Sequence, residues 1–182
     1  MNIMLPNLLC RDSWETLNAS QTYTWGVRLG MFLHPGDLLC LYGDLGAGKT
    51  LVAQGIGHAL GVKEPITSPT FTMIQLYEGS QIPLAHLIHM DLYRLRDPAE
   101  ADIIGIWEFI RDDTIVLIEW PQIITDQLPP DRYELHMAGS GEAPREMSLS
   151  FLGNRAVRWD QWKNIKGTMI KDKETALEVP DN

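Results

Sequence analysis

The stretch "DLLCLYGDLGAGKTLVAQGIGHAL", residues 37–60, decides the fold of this chain. Its apolar start predicts a strand covered on both faces, and its end predicts a helix that stops at Gly61. Between them, Gly43-x-x-x-x-Gly48-Lys49-Thr50 matches the phosphate-loop pattern in the strand–helix context that the motif requires. The glycines let backbone N–H groups converge on one anion at the positive end of the helix. The competing interpretation is a glycine-rich turn with a surface lysine, and the flanking strand and helix argue against it.

Composition places the chain among ordinary globular proteins. It has 182 residues, a mass of 20.6 kDa, a net charge of −9 and a pI of about 4.9. The acidic charge argues against direct capture of RNA or DNA, because that affinity comes mainly from Lys and Arg. Cys10 and Cys40 form no disulfide framework, which favours a reducing cytoplasm. We expect no targeting segment, because Leu9 before Cys10 does not suit a lipoprotein signal. We also expect no membrane span, because no apolar stretch approaches ~20 residues.

Outside this stretch, strand-like and helix-like segments alternate. The sequence predicts a helix over 20–33 with Ser20 as its N-cap, and another over 97–113 with Asp97 as its N-cap and Pro98 at its first position. Strands are predicted over 70–79, 83–94, 114–120, 131–138 and 145–153, the first two joined as a hairpin through 78–82. This order predicts an α/β fold with a mixed parallel and antiparallel sheet. We expect one phosphate-loop domain over 1–154 and a weakly ordered tail over 155–182.

Three further stretches offer polar groups to the phosphate loop. "TIVLIEW" is a fully apolar strand that delivers Glu119 to its carboxyl end, where ligands bind in open α/β sheets. In "HMDLYR", His89, Asp91 and Tyr93 alternate and should share one strand face. In "TSPTF", Pro69 keeps the preceding residue extended, and Thr70 offers a hydroxyl. Each of the last two patterns also occurs in half-exposed strands and polar loops without function.

Taken together and in order, these motifs resemble the bacterial TsaE (YjeE) ATPase family. The four stretches are "GDLGAGKT" at 43–50, "SPTF" at 68–71, "HMDLYR" at 89–94 and "IEWP" at 118–121. The resemblance runs from about residue 20 to residue 153. It implies a single phosphate-loop domain that binds ATP and Mg²⁺. It further implies action in the synthesis of threonylcarbamoyladenosine at position 37 of tRNA, together with the TsaD and TsaB proteins.

The resemblance also implies roles for individual residues. Lys49, Asp91 and Glu119 match the catalytic positions, and Thr50 and Glu119 match the magnesium ligands. Asp91 is thought to act on the γ-phosphate or on the attacking water. The matching nucleotide-binding positions are Thr22, Gly43, Asp44, Leu45, Gly46, Ala47, Gly48, Lys49, Thr50, Thr70, Trp120 and Arg145.

Two positions depart from the family pattern. Arg145 follows "GEAP" rather than the usual Gly-Arg, and Leu51 replaces a second hydroxyl residue. The metal ligand is the first hydroxyl, that of Thr50, so we expect little loss from Leu51.

Three rival functions share the phosphate loop. A small-molecule kinase would need an acceptor pocket and an arginine-bearing lid, and no arginine cluster lies between Glu119 and Gly153. A regulatory GTPase would need an Asn/Thr-Lys-x-Asp segment, which is missing, so adenine should be preferred to guanine. A nucleotide-gated binding module with incidental hydrolysis stays open. The expected protein is an ATPase that is slow alone, depends on partners, and reaches tRNA only through them.

Overall fold

The computed structural model describes residues 10–80, 86–141 and 143–168. Within these residues, seven strands form one mixed sheet with the spatial order β1-β7-β6-β2-β5-β4-β3. The strands are β1 Cys10–Thr16, β2 Leu38–Tyr42, β3 Ile74–Glu78, β4 His86–Asp91, β5 Thr114–Glu119, β6 Tyr133–Ala138 and β7 Arg145–Phe151. The helices are α1 Ala19–Phe32, α2 Lys49–Ala59, α3 Ala99–Ile104 and α4 Trp159–Thr168. Short 3-10 helices lie at Ile106–Phe109, Pro121–Gln127 and Gly153–Arg158.

The centre of the sheet is parallel and its two margins are antiparallel. Strands β4, β5, β2 and β6 run parallel, while β3 pairs antiparallel with β4, and β7 pairs antiparallel with both β6 and β1. One apolar cluster packs α1, α2 and α4 on one face of the sheet, and a second packs α3 and two 3-10 helices on the other. The predicted α/β class and mixed sheet are confirmed. No helix of the described residues is long and apolar enough to cross a membrane.

Helices α1 and α2 touch through glycine backbones. A methyl group added at Gly26 would lie 2.4 Å from the carbonyl oxygen of Val52, and one at Gly55 would lie 2.3 Å from that of Tyr23. Both distances are far inside van der Waals contact, so only glycine allows this crossing. The helix that follows the phosphate loop therefore packs directly against the helix that precedes β2.

Two predicted helices have other boundaries in the structure. The N-cap of α1 is Asn18, whose side chain accepts a hydrogen bond from the backbone of Gln21, so the choice of Ser20 is wrong. The helix predicted over 97–113 ends early, because Gly105 adopts the left-handed conformation and a 3-10 helix follows. The N-cap residue of α3 is Pro98 rather than Asp97, although the side chain of Asp97 accepts a hydrogen bond from the backbone N–H of Ala99 at 2.8 Å.

The two ends of the described chain hold more structure than the sequence predicts. The first strand, β1, is an element that the sequence analysis lacks. The expected tail is ordered over 155–168, because Trp162 of α4 is fully buried among the aromatic rings of the core. Residues 169–182 lie outside the described residues, as do 83–85 of the strand predicted over 83–94 and 81–82 of the predicted hairpin turn.

Candidate functional site

The phosphate loop leaves the carboxyl end of β2 and closes on its own lysine. The side chain of Lys49 is almost fully buried, and its ammonium donates to the carbonyl oxygens of Gly43 at 2.7 Å and Asp44 at 2.9 Å. Burial lowers the pKa of Lys49, and the nearby carboxylates of Glu119, Asp91 and Asp44 partly oppose that shift. The only bonds of the ammonium within the described residues are thus to carbonyls of its own loop, which an anion can replace.

Two buried carboxylates stand side by side at the sheet edge above this loop. Asp91 and Glu119 end the neighbouring parallel strands β4 and β5 and are paired in register, and each is 2% exposed. Because Leu41 of β2 pairs with Glu119 in turn, the loop that leaves β2 starts beside both acids. The sequence predicts Glu119 at a strand end and Asp91 inside a strand over 83–94. In the structure β4 ends at Asp91, and the sheet order brings the two acids together.

Glu119 accepts two hydrogen bonds on one oxygen. The hydroxyl of Thr50 donates to its Oε1 at 3.0 Å, and Nε2 of His89 lies 2.9 Å from the same atom. His89 is fully buried, and its Nδ1 has no hydrogen-bond partner among the described residues. Because a carboxylate oxygen only accepts hydrogen bonds, Nε2 carries the proton that it donates to Glu119. No lysine or arginine of the described residues bonds this carboxylate.

Asp91 is held by the segment that contains Thr70. The hydroxyls of Ser68 and Thr70 donate to its Oδ2 at 2.8 and 2.6 Å, and the backbone N–H of Tyr93 donates to its Oδ1 at 3.0 Å. These bonds tie the loop between α2 and β3 to the carboxyl end of β4. Neither Ser68 nor His89 was chosen as a site residue from the sequence, although both stand inside motifs that the sequence singles out.

Trp120 forms a lid over the lysine. It has the left-handed backbone conformation, with φ of 58°, directly after β5. Its ring lies 3.9 Å from the ammonium of Lys49 and packs against Tyr93 with centroids 5.0 Å apart. A cation over an aromatic face is stabilised by the ring quadrupole. The predicted site tryptophan therefore contacts the predicted phosphate-binding lysine.

Thr22 and Arg145 lie behind the loop, around Gly48. Thr22 is fully buried and shares a 2.9 Å hydrogen bond with Thr16. Arg145 donates from Nε to the carbonyl of Ala47 at 3.0 Å. A methyl group at Gly48 would lie 3.2 Å from that Nε and 3.4 Å from Thr22, so glycine keeps the loop close to both side chains. Asp44, Leu45 and Gly46 form the exposed tip of the loop.

The chemistry of these groups suits an anion and a hard cation. Backbone N–H groups, a buried ammonium and a helix N-terminus are the donors that bind phosphate. A hydroxyl and a carboxylate are oxygen ligands of the kind that Mg²⁺ takes together with water and substrate phosphates. Thr50 and Glu119 already touch, so one cation could contact both. No group of three or more His, Cys, Asp or Glu side chains in the described part of the chain forms an all-protein metal cage.

Comparison with known proteins agrees with this geometry. Residues 16–147 match the family model described as threonylcarbamoyl adenosine biosynthesis protein TsaE. A relative from Bacillus subtilis, named tRNA threonylcarbamoyladenosine biosynthesis protein TsaE, is 37% identical over 78% of this chain and 87% of its own length. A protein of the same name from Nostoc is 47% identical over 65% of this chain and 69% of its own.

A solved structure has the same architecture. The crystal structure of YdiB from Bacillus subtilis superposes with a TM-score of 0.69 at 27% identity, covering 92% of this chain and 99% of that one. The family match spans the loop, both acids and most of the sheet. On these grounds the chain belongs to the TsaE family.

Proposed function

We propose that this chain binds and hydrolyses Mg-ATP as a component of the machinery that makes threonylcarbamoyladenosine on tRNA. One observation carries the ATP site: a phosphate loop with a buried lysine stands beside two buried carboxylates in register on adjacent strands. Family membership supports the pathway, because the curated relatives carry it in their names.

Each group has a defined task in this proposal. Lys49 leaves the carbonyls of Gly43 and Asp44 and binds phosphate oxygens, exchanging neutral acceptors for charged ones. Thr50 and Glu119 would hold Mg²⁺, which would supply positive charge to offset the charge of the phosphates. Asp91 orients the attacking water, since its carboxylate is fixed by three donors beside Glu119.

In this proposal, the hydrogen bond from Thr70 to Asp91 depends on what occupies the site. Its hydroxyl donates to Asp91, so a water that donates to the same carboxylate competes with the hydroxyls of the 68–70 segment. The ring of Trp120 covers the ammonium of Lys49. Thr22 and Arg145 support the loop from behind and limit where the rest of the nucleotide can lie.

Turnover is slow in the isolated chain under this proposal. Arg94 stacks on Phe71 at 4.4 Å, and Arg145 is engaged by carbonyls of the loop region. A transition-state arginine can be worth ~10³–10⁵ in rate, so its delivery by a partner would control hydrolysis. We propose the TsaD and TsaB proteins as that partner assembly, with tRNA contacted through them. Hydrolysis would then reset the assembly between rounds of modification.

Calorimetry on Lys49→Ala tests the ATP site. We expect binding of Mg-ATP to be lost, because a buried charged contact of this kind is worth on the order of 2–5 kcal/mol. Lys63→Ala, which removes an exposed lysine, is the matched control and should bind as the wild type does. Equal affinity of the Lys49 variant would overturn the assignment.

A reconstitution tests the coupling separately. TsaD, TsaB, tRNA and threonylcarbamoyl-adenylate are mixed with substrate in excess over the complex. The wild-type chain should permit many rounds of modification, and Lys49→Ala should stall the reaction near one round. Many rounds without this chain would defeat the coupling and leave the ATP site standing. Nucleotide-dependent binding to the partners without any need for hydrolysis would favour the nucleotide-gated module instead.

A further inference from the structure

A groove of about 640 Å³ lies on the sheet face opposite α1 and α2, and none of the functions above uses it. It runs over the outward side chains of β1, β7, β6 and the end of β2. Directly paired residues share a face, so Ser13, Ser148 and His136 form one row across these strands, and Glu15, Glu146 and Ala138 form the next. The first row makes a small polar floor, where the hydroxyl of Ser13 donates to that of Ser148 at 3.3 Å.

One wall of the groove is built from two stacked rings. His136 and Tyr42 lie with centroids 4.4 Å apart and planes within 7° of parallel. Glu134 lies beside them and bonds both Tyr42 and His136. This wall is thus fixed before any ligand arrives.

The rim of the groove on strands β1 and β7 carries two negative charges side by side. Glu15 and Glu146 are direct cross-strand partners, and both are exposed. Within the described ranges, no hydrogen bond or ion pair engages either carboxylate, and the third residue of their row is Ala138. Like charges directly opposite one another destabilise a sheet. A cation placed between the two carboxylates would remove that repulsion.

The groove also reaches the phosphate loop. Gly43, the first glycine of the loop, lines it together with Met137 and Ala138. The contact there is tight, since a methyl group at Gly43 would lie 2.6 Å from the carbonyl oxygen of Met137. An occupant of the groove would therefore press against the strand and the glycine that set the start of the loop.

We propose that this groove is a docking site for a basic segment of a partner protein, with a lysine or arginine placed between Glu15 and Glu146. The occupant is a protein segment rather than nucleic acid, because the rim that it meets is acidic. The proposal rests on the proposed function, because it names the surface through which the partner assembly would act on the phosphate loop. The positive charge of the segment offsets the charges of Glu15 and Glu146, and the backbone of the segment lies over Ser13 and Ser148.

The test is titration of the wild-type chain and the double variant Glu15→Gln/Glu146→Gln against the TsaD–TsaB complex from the same source. We expect at least tenfold weaker binding by the variant and a shallower dependence of affinity on salt. The same variant should melt no lower than the wild type and should keep the basal rate of ATP hydrolysis. The control Glu108→Gln/Asp112→Asn removes the same charge from exposed acids elsewhere and should bind within twofold of the wild type.

A second variant tests the groove itself. Ser148→Trp fills the floor with a large ring while leaving both glutamates in place, and it should also weaken binding at least tenfold. Wild-type affinity in either the double glutamine variant or Ser148→Trp would overturn the docking site and leave the proposed function intact. Failure of the wild-type chain itself to bind the complex would overturn both the partner assignment and this occupant.

Discussion

Two buried carboxylates lie at opposite ends of the neighbouring parallel strands β2 and β5, and they have different partners. Asp37, just before β2, contacts two arginines of the C-terminal segment: Arg155 at 2.9 Å and Arg158 at 2.6 Å. Glu119, at the far end of neighbouring β5, accepts hydrogen bonds from the hydroxyl of Thr50 and from Nε2 of His89, and no lysine or arginine of the described residues bonds it. Asp37 is therefore paired with cations of its own chain, whereas Glu119 is open to a cation that arrives from outside. A buried acid that no lysine or arginine bonds is a better sign of a site than burial alone.

The largest expected effect is on turnover in Glu119→Gln. The amide keeps an oxygen that can accept from Thr50 and His89, but it loses the charge. ATP hydrolysis should fall by on the order of 100-fold or more, about 2.7 kcal/mol of activation free energy. The free energy of unfolding should change by less than about 1 kcal/mol. Steady-state hydrolysis and urea unfolding of the same preparation provide both values.

Glu108→Gln, an exposed acid on the 3-10 helix Ile106–Phe109, is the control and should change neither quantity. Wild-type turnover in Glu119→Gln would erase the distinction between the two carboxylates.

Asp37→Ala should show the reverse pattern. Its removal leaves Arg158 and the backbone N–H of His34 without their acceptor. Breaking a buried pair costs about 3–5 kcal/mol, and partial exposure of both arginines reduces the expected loss to about 2–3 kcal/mol in urea unfolding. ATP affinity of the folded fraction should stay unchanged, because Asp37 lies at the opposite edge of the sheet. A loss of affinity without a loss of stability would contradict a purely structural role.

Substitution of His89 should give the smallest effect, a moderate loss of turnover, and two variants at this position can be compared directly. Phenylalanine keeps a ring but removes one of the two donors to Glu119, so the carboxylate keeps its bond from Thr50 but is oriented less well. Turnover in His89→Phe should fall about tenfold, equivalent to about 1.4 kcal/mol, with KM for ATP unchanged.

Glutamine at the same position restores an N–H donor and should recover most of the lost rate. Thermal melting of both variants checks that they remain folded. Equal rates for the two variants would show that His89 fills space rather than orients Glu119.

The sequence predicts the centre of this molecule well because its signals there are local. The phosphate loop, the apolar run of β5 and the capping glycine Gly61 each depend on neighbours within a few residues. Placement of Glu119 at a strand end followed from the same patterns. Its position beside Asp91 depends on the pairing of β4 with β5, which periodicity does not encode, and the bond from His89 to Glu119 depends on it too.

Strand β1, helix α4 and the end of α3 were harder to predict from the sequence, for physical reasons. Strand β1 reads "CRDSWET", which has few apolar or β-branched residues because one of its faces is polar. Its partner β7 is also distant in sequence, so no local pattern indicates the pairing. Helix α4 is polar overall, yet Trp159, Trp162 and Ile165 recur at helical spacing and could have indicated it. The break at Gly105 was hidden because glycine is tolerated within helices as well as after them.

The pairing of β1 with β7 also governs how a newly made chain must fold. Ser13 meets Ser148 across 135 residues, whereas the strands that carry the phosphate loop and Glu119 need much shorter closures. Non-local pairings form late, because their loop entropy is paid before their contacts are gained. At ~5–20 residues per second, the ribosome delivers β7 on the order of 10 s after β1. Until β6 and β7 emerge, β2 presents an open sheet edge, so the nascent protein is most prone to aggregate after its nucleotide loop can form but before its sheet is closed.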